Sequence, residues 1–322
     1  MKKTTVVIPN YNGMAYLQDC LSSLAKQDWS FDTIVVDNGS QDESCSFIKE
    51  KFPEVSLITL PENQGFCRAV NIGIEASGTP YVLLLNNDVK VKADFVKNLE
   101  HALEKRKDYF SIGAKMLSMK EPDRIDDAGD FYCALGWAFA RGKGKKAKYY
   151  QKAGEVFAAC AGAAIYRKEI LEEIGYFDEN HFAYLEDVDI GYRARIYGYK
   201  NGFCPKAVVY HAGSGFSGSR YNEFKVTLSS RNNMYVIGKN MPFFQILFNF
   251  PFLMAGILIK WVFFSKKSMG KLYIQGIMKG IYGYLTKVRK EKKVPFQRKH
   301  LKNYCSIQIE LWKNLFIFLR NA

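Results

Sequence analysis

The first third of the chain repeats one rhythm of apolar and polar positions. "TTVVIP" reads as a strand, "AYLQDCLSSLAKQ" carries apolar residues at helical spacing, and "DTIVVDNGS" is a strand ending in Asp-Asn-Gly. "DESCSFIKEKF" follows as a helix opened by acids, and "VSLITL" as a third strand. Such alternation predicts an α/β fold with a parallel, doubly wound sheet, whose ligands sit beyond the carboxyl ends of the strands. Tyr81 to Leu85 is a continuous apolar run suited to a strand buried on both faces, and it stops abruptly at Asn86, Asn87 and Asp88. Four strand ends therefore carry polar clusters: "IPNYN", "DNGSQD", "PENQGF" and "NND".

Further along, "ADFVKNLEHALEKR" predicts a helix and "FSIGAKML" a strand, while residues 120 to 155 are less regular. Residues 141 to 148, rich in Gly and Lys, are expected to form a mobile loop. "AACAGAAIYRKEILEEIGYFDE" is a small-residue strand running into a helix, "FAYLEDVDIGYRARIYGY" a helix with an acidic start, and "KAVVYHAGSG" a strand ending in His211. The α/β pattern fades near Tyr221, which divides the chain into a domain at 1–225 and a helical region at 226–322. Within residues 241–264 the uninterrupted apolar run, Phe250 to Ile259, falls short of the roughly 20 residues a spanning helix needs. Gln245, Asn249, Pro251 and Lys260 break the longer segment. A helix lying in the membrane interface is expected, and a buried helix of a soluble subdomain is the alternative.

Charge sharpens this picture. Of the net +14 carried by 322 residues, +12 lies between Lys260 and Lys302, where 13 Lys and Arg face the single acid Glu291. This is a basic tail on a nearly neutral domain, suited to anionic lipid. Its aromatics alternate with long aliphatics instead of forming base-stacking platforms, so no nucleic-acid partner is expected. Seven cysteines without a CxxC spacing suit free thiols in a reducing compartment. The apolar run at the amino terminus is too short for a signal peptide, and the cytoplasm is the expected setting.

Several residues are candidates for chemistry. Asp37, at a strand's carboxyl end, can accept hydrogen bonds from a base or ribose, and Tyr11 can offer a ring for stacking. Asn86 and Asp88, alternate residues of a short extended stretch, would address one hard cation or its diphosphate. Glu186, Asp187 and Asp189 sit at a helix start, where they serve either as capping acids or, in a cleft, as a base of raised pKa. His211 stands alone at a strand end, where most histidines are neither ligands nor catalysts, though one beside a divalent ion's site would complete its shell.

"VVIPNYNG", "IVVDNGSQD", "NQGFCRAVNIGI", "LLLNNDV", "FAYLEDVDIGYRARIYGY" and "VVYHAGSG" resemble, in order and spacing, the motifs of family 2 inverting glycosyltransferases of GT-A fold. The look is nearest to bacterial rhamnosyltransferases of surface polysaccharide synthesis. The resemblance implies that Pro9, Tyr11, Asp37 and Asn38 hold the nucleotide, with Arg68 and Asn71 shaping the diphosphate and sugar pocket. The family's metal-binding Asp-x-Asp stands here as Asn86-Asn87-Asp88, so Asp88 keeps the last acid and Asn86 replaces the first. Asp187 matches the general base, with Glu186 and Asp189 beside it, and His211 matches a position in the metal shell. The implied cofactor is Mg²⁺ or Mn²⁺, and the implied donor is dTDP-L-rhamnose, with UDP-hexoses as alternatives. The implied acceptor is a lipid-linked cell-surface glycan at the cytoplasmic face of the membrane; a homodimer is left open. Two other classes compete: a sugar-1-phosphate nucleotidyltransferase, whose Gly-rich Arg-containing signature is missing, and a non-catalytic basic membrane-binding protein.

Overall fold

The computed structural model describes residues 1–213 and 221–321; Ser214 and Gly215 of the "VVYHAGSG" motif lie outside them. The expected alternation appears as β1 (Thr4–Asn10), α1 (Met14–Ala25), β2 (Asp32–Asp37), α2 (Ser44–Lys51), β3 (Ser56–Thr59), α3 (Phe66–Ala76) and β4 (Tyr81–Leu85). These four strands are parallel in the order β3-β2-β1-β4, with Val7 of β1 opposite Ile34 of β2 and Leu84 of β4. Val6, Val7, Val82, Leu83 and Leu84 are fully buried, because helices cover both faces of a parallel sheet and leave no polar side for alternation.

The second half of the sheet is mixed. It adds β5 (Val89–Val91), α4 (Phe95–Glu104), β6 (Tyr109–Ser118), β7 (Ile125–Asp127), the β8–β9 hairpin (Asp130–Cys133, Trp137–Ala140), β10 (Gly154–Val156) and β11 (Ala163–Arg167). Then come α5 (Lys168–Ile174), α6 (Glu186–Tyr197) and β12 (Lys200–His211). β11 inserts antiparallel between β4 and β6, and β12 runs parallel to β6. The pairing that matters most for the site is short: β5 lies antiparallel to the end of β12, with Val89 opposite His211.

Residues 141–148 are not the free loop expected from their composition. Arg124 donates to the Gly144 carbonyl (2.7 Å), the Ile125 amide donates to Lys145 O (2.8 Å), and Lys143 pairs with Asp126 (2.9 Å). Lysine and glycine reported exposure correctly; backbone pairing to β7 supplies order that composition does not encode.

Beyond the sheet lie α7 (Glu223–Asn240), α8 (Phe243–Ser265), α9 (Gly270–Gly283), α10 (Arg289–Lys292) and α11 (Leu301–Asn321). The division expected after residue 225 falls in the first turn of α7, and one core spans both sides of it. Tyr304, Ile307 and Leu311 of α11 pack with Val236 and Met241 against Tyr132, Phe157 and Tyr192 of the sheet domain. Asn314 donates to Tyr132 O (2.9 Å), and Arg195 pairs with Glu310 (2.6 Å).

Helix α8 is amphipathic in the reverse of the usual sense. Its buried stripe contains Gln245, Asn249, Leu253 and Gly256. Tyr192 donates to Gln245 (2.7 Å), Gln245 donates to Tyr304 O (3.3 Å), and Asn249 exchanges hydrogen bonds with Gln308 (2.8 and 2.9 Å). Phe243, Leu247, Phe248, Phe250, Leu258 and Ile259 face outward and are exposed. Length and composition would allow the helix to cross a membrane, and only 17% of its most apolar window is buried.

Candidate active site

Polar residues at the carboxyl ends of β1, β2 and β4 form one network. Asn10 donates to Asp37 (2.8 Å) and to Ser40 (3.2 Å), and accepts from Asn87 (2.7 Å). Asp37 also accepts from the Ser40 amide (2.9 Å), and Asn38 joins Asn63 (3.0 Å) to the Gly65 carbonyl (3.1 Å). Gly13 opens α1 against this network, and a methyl there would overlap the Asn10 and Asn87 side chains. Asp37 and Asn38 are thus buried and stiffly held at the rim, with Pro9 and Tyr11 half-buried beside them. Sequence reasoning passed over Asn10, the hub, although it lies inside a quoted motif; its neighbours offered more familiar chemistry.

Asn86, Asn87 and Asp88 form a tight turn between β4 and β5, which corrects the extended stretch expected of them. The chain must reverse to pair β5 with β12, so the three side chains take separate partners. Asn87 reaches Asn10, Asn86 packs against Gly162, and Asp88 faces His211. The β5–β12 pairing brings His211 Nε2 to 3.3 Å from Asp88 Oδ1, and that oxygen is buried without a hydrogen-bond partner. On the other edge of the ring, His211 Nδ1 lies 2.7 Å from Asp126, itself paired with Lys143. Burial would lower the His211 pKa, but Asp126 and Asp88 outweigh it and raise it. A buried carboxylate oxygen facing a ring nitrogen, with the opposite edge of the ring fixed by a second carboxylate, fits a divalent cation that would take the place of the proton between them. Asp126 was not anticipated, because nothing in "IDDAGD" announces which acid will meet a histidine 85 positions away.

The third part of the site is the start of α6. Phe182, Tyr184 and Leu185 all adopt positive φ (64°, 72° and 65°), a rare conformation for side chains of this size, and the resulting turn delivers Glu186 and Asp187 to the first helical turn. Burial raises Asp187 above the usual carboxylate range, against opposing hydrogen bonds from the Val188 and Ala161 amides and the Asp130 side chain. Burial likewise raises Glu186, Asp130 and Asp127, and their mutual repulsion adds to it. Four carboxyl groups from β7, β8 and α6 therefore hold protons more tightly than free acids do.

The base candidate and the donor rim meet across one turn. The Ala161 amide bonds to Asp187, and the next residue's carbonyl, Gly162 O, accepts from the Asn86 amide (2.9 Å). Arg68 and Asn71 approach from α3. Arg68 is 40% exposed and pairs with Glu179 (3.1 Å). Asn71 is buried and exchanges hydrogen bonds with the Phe177 backbone (2.8 and 3.0 Å), so its amide holds the chain leading to Asp187. Asp189, expected either beside the acceptor or in support of the base, is fully buried and bound by Arg193 (3.1 Å), Lys239 (2.8 Å) and Asn240 (2.8 Å), a place that suits support alone. Two residues along α6 rotate the side chain by roughly 200°, so Asp189 lies on the face opposite Asp187, turned into the core.

A central sheet ending in amide and carboxylate clusters, with an acid pair opening a helix beside them, is the architecture of the GT-A fold. The chain belongs to glycosyl transferase family 2, which residues 5–175 match. It is 25% identical over 235 residues to the N-acetylglucosaminyl-diphospho-decaprenol L-rhamnosyltransferase of Mycobacterium tuberculosis, covering 64% of this chain and 75% of that protein. To the teichoic acid poly(glycerol phosphate) polymerase of Staphylococcus epidermidis it is 34% identical over 93 residues, 27% of this chain and 13% of that one. Its matches cover between 13% and 39% of the first three curated relatives. Among solved structures, the mannosyltransferase PcManGT from Pyrobaculum calidifontis, in complex with GDP-Man and Mn²⁺, superposes with a TM-score of 0.57 at 15% identity, covering 87% of both chains.

Proposed function

We propose that the protein is an inverting glycosyltransferase that moves a sugar from a nucleoside diphosphate donor to a hydroxyl of a lipid-linked cell-surface glycan. The observation that carries this reading is the meeting, across the Cys160–Gly162 turn, of a raised-pKa carboxylate with a rim that can hold a diphosphate and a cation. Asp187 takes the proton of the acceptor hydroxyl, whose oxygen forms a bond to the anomeric carbon from the face opposite the diphosphate. The bond from that carbon to the diphosphate oxygen breaks, and its electron pair leaves with the nucleotide. The burial that raises Asp187 also increases its affinity for that proton. Asp88 and His211 would hold Mg²⁺ or Mn²⁺, which when bound neutralises charge on the leaving diphosphate. Asp37, Asn38 and Tyr11 bind the nucleotide, and Arg68 borders the sugar.

Likeness to the mycobacterial L-rhamnosyltransferase supports L-rhamnose as the transferred sugar, carried by dTDP on this proposal. The reversed amphipathicity of α8 supports the membrane: an outward apolar face beside lysines suits the headgroup boundary, which draws the protein to the cytoplasmic leaflet as a peripheral enzyme. The test is a panel of dTDP-L-rhamnose, UDP-glucose, UDP-GlcNAc and GDP-mannose, assayed with Mn²⁺ for released nucleoside diphosphate, using wild type and Asp187→Asn. Release should be fastest with dTDP-L-rhamnose and fall on the order of 10²-fold or more in the variant. A UDP-hexose preferred over the rhamnose donor would replace the donor assignment, and undiminished release in Asp187→Asn would remove Asp187 from its role.

A further inference from the structure

The turn that presents Asp187 is held by α7, from outside the span matched to the family. Asn232 is fully buried, and its amide nitrogen lies within hydrogen-bond distance of three carbonyls of that turn: His181 (2.9 Å), Ala183 (2.8 Å) and Tyr184 (2.8 Å). Its neighbour Arg231 donates to the carbonyls of Asn180 (3.0 Å) and His181 (2.8 Å). Two turns further along α7, Lys239 and Asn240 bind Asp189, just past the base. Asp187 is therefore bracketed by two attachments to one helix. The three residues of positive φ, Phe182, Tyr184 and Leu185, lie within or directly after the first of them, in a conformation that persists in bulky side chains only where the surroundings impose it. The turn also packs on the start of α3: Phe182 O accepts from the Cys67 amide (3.2 Å), and the Phe182 ring occupies the space a side chain at Gly65 would need.

We propose that Asn232, assisted by Arg231, is a positioning residue for transfer, holding the turn 181–185 in the one conformation that aims Asp187 at the acceptor. Resting on the assignment of Asp187 as base, the proposal deepens it by making the C-terminal helices part of the catalytic apparatus. An amide whose two N–H groups are shared among three carbonyls restrains three peptide planes at once, which a hydrophobic contact cannot do. Misplacement of a reacting group by about 1 Å costs on the order of 10²-fold in rate.

The experiment compares Asn232→Ala, Asp187→Asn and the double variant in the full chain, measuring turnover by nucleoside diphosphate release from dTDP-L-rhamnose and UDP-GlcNAc, and binding of dTDP and UDP with Mn²⁺. Asn232→Ala should lower kcat on the order of 10- to 100-fold with nucleotide affinity unchanged, because the nucleotide rim is built by β1, β2 and β4. In the Asp187→Asn background the same substitution should cost nothing further, since a group that no longer accepts a proton gains nothing from being aimed. If Asn232→Ala does not fold, Arg231→Lys, which keeps the charge, should show the same split to a smaller degree. Full turnover in the folded single variant, parallel loss of nucleotide affinity, or an additive loss in the double variant would each overturn the positioning role. Undiminished turnover in Asp187→Asn would instead overturn the base assignment beneath it.

Discussion

His181 makes a quantitative prediction possible. Its ring is fully buried against Tyr235, and neither ring nitrogen has a hydrogen-bond partner among the described residues. Burial first, then Lys239 and Arg193, outweigh Asp189 and Asp178 and bring its pKa down to about 4 from 6.5. At pH 7 the ring is neutral both folded and unfolded, and it contributes no pH dependence. Between pH 6.5 and about 4 the unfolded chain takes up a proton that the folded one refuses, so stability falls as pH falls, by about 1.4 kcal/mol per unit. Below about 4 both states bind the proton and the slope vanishes. The full effect is about 3 kcal/mol. Glu186 and Asp127, whose pKa values are raised, act in the opposite direction, so the absolute curve is not diagnostic. The difference between wild type and His181→Phe is, because the other groups cancel and any packing offset only shifts one curve vertically. Urea unfolding of both proteins at steps from pH 7.5 to 4.5 should show the wild type losing about 2 to 3 kcal/mol relative to the variant, with matched m-values. Parallel curves would refute the reasoning and imply that His181 finds a partner for its proton.

Three further outcomes follow from other parts of the molecule. Gly13→Ala pushes a methyl into the Asn10–Asn87 contact and should weaken dTDP–Mn²⁺ binding on the order of tenfold in calorimetry, with secondary structure unchanged by circular dichroism. Asp88→Asn leaves His211 opposite a neutral group; a chelator should suppress nucleoside diphosphate release by the wild type, and the variant should need a higher Mn²⁺ concentration for rescue. Full-length protein should float with anionic liposomes and less with neutral ones or in high salt, and each of Leu247→Ser, Phe248→Ser and Leu258→Ser should reduce binding on the order of tenfold; flotation unaffected by all three would refute lipid as the partner of the outward face of α8.

The α/β class, the four polar strand ends and the helix carrying Asp187 were legible in the sequence because each is a local matter. Continuous apolar runs demand a strand buried on both faces, and an acid run before a periodic segment demands a helix start. The family motifs are local in the same sense, since each lies within one strand end or within one turn and the helix that follows it. What meets what was decided by the tertiary structure alone. Asp88, Asp126 and His211 come together because β5 and β7 are laid against the ends of β12 and β6, a pairing that no short-range pattern encodes. Asp189 looked like its neighbours in "EDVD", yet a two-residue step, about half a helical turn, sends it into the core to meet Lys239, whereas Asp187 meets the Ala161 amide. Periodicity identified α8 as apolar; only packing showed its amides inside and its phenylalanines outside, because the satisfaction of buried polar groups depends on partners, Tyr192, Tyr304 and Gln308, that lie more than 50 residues away.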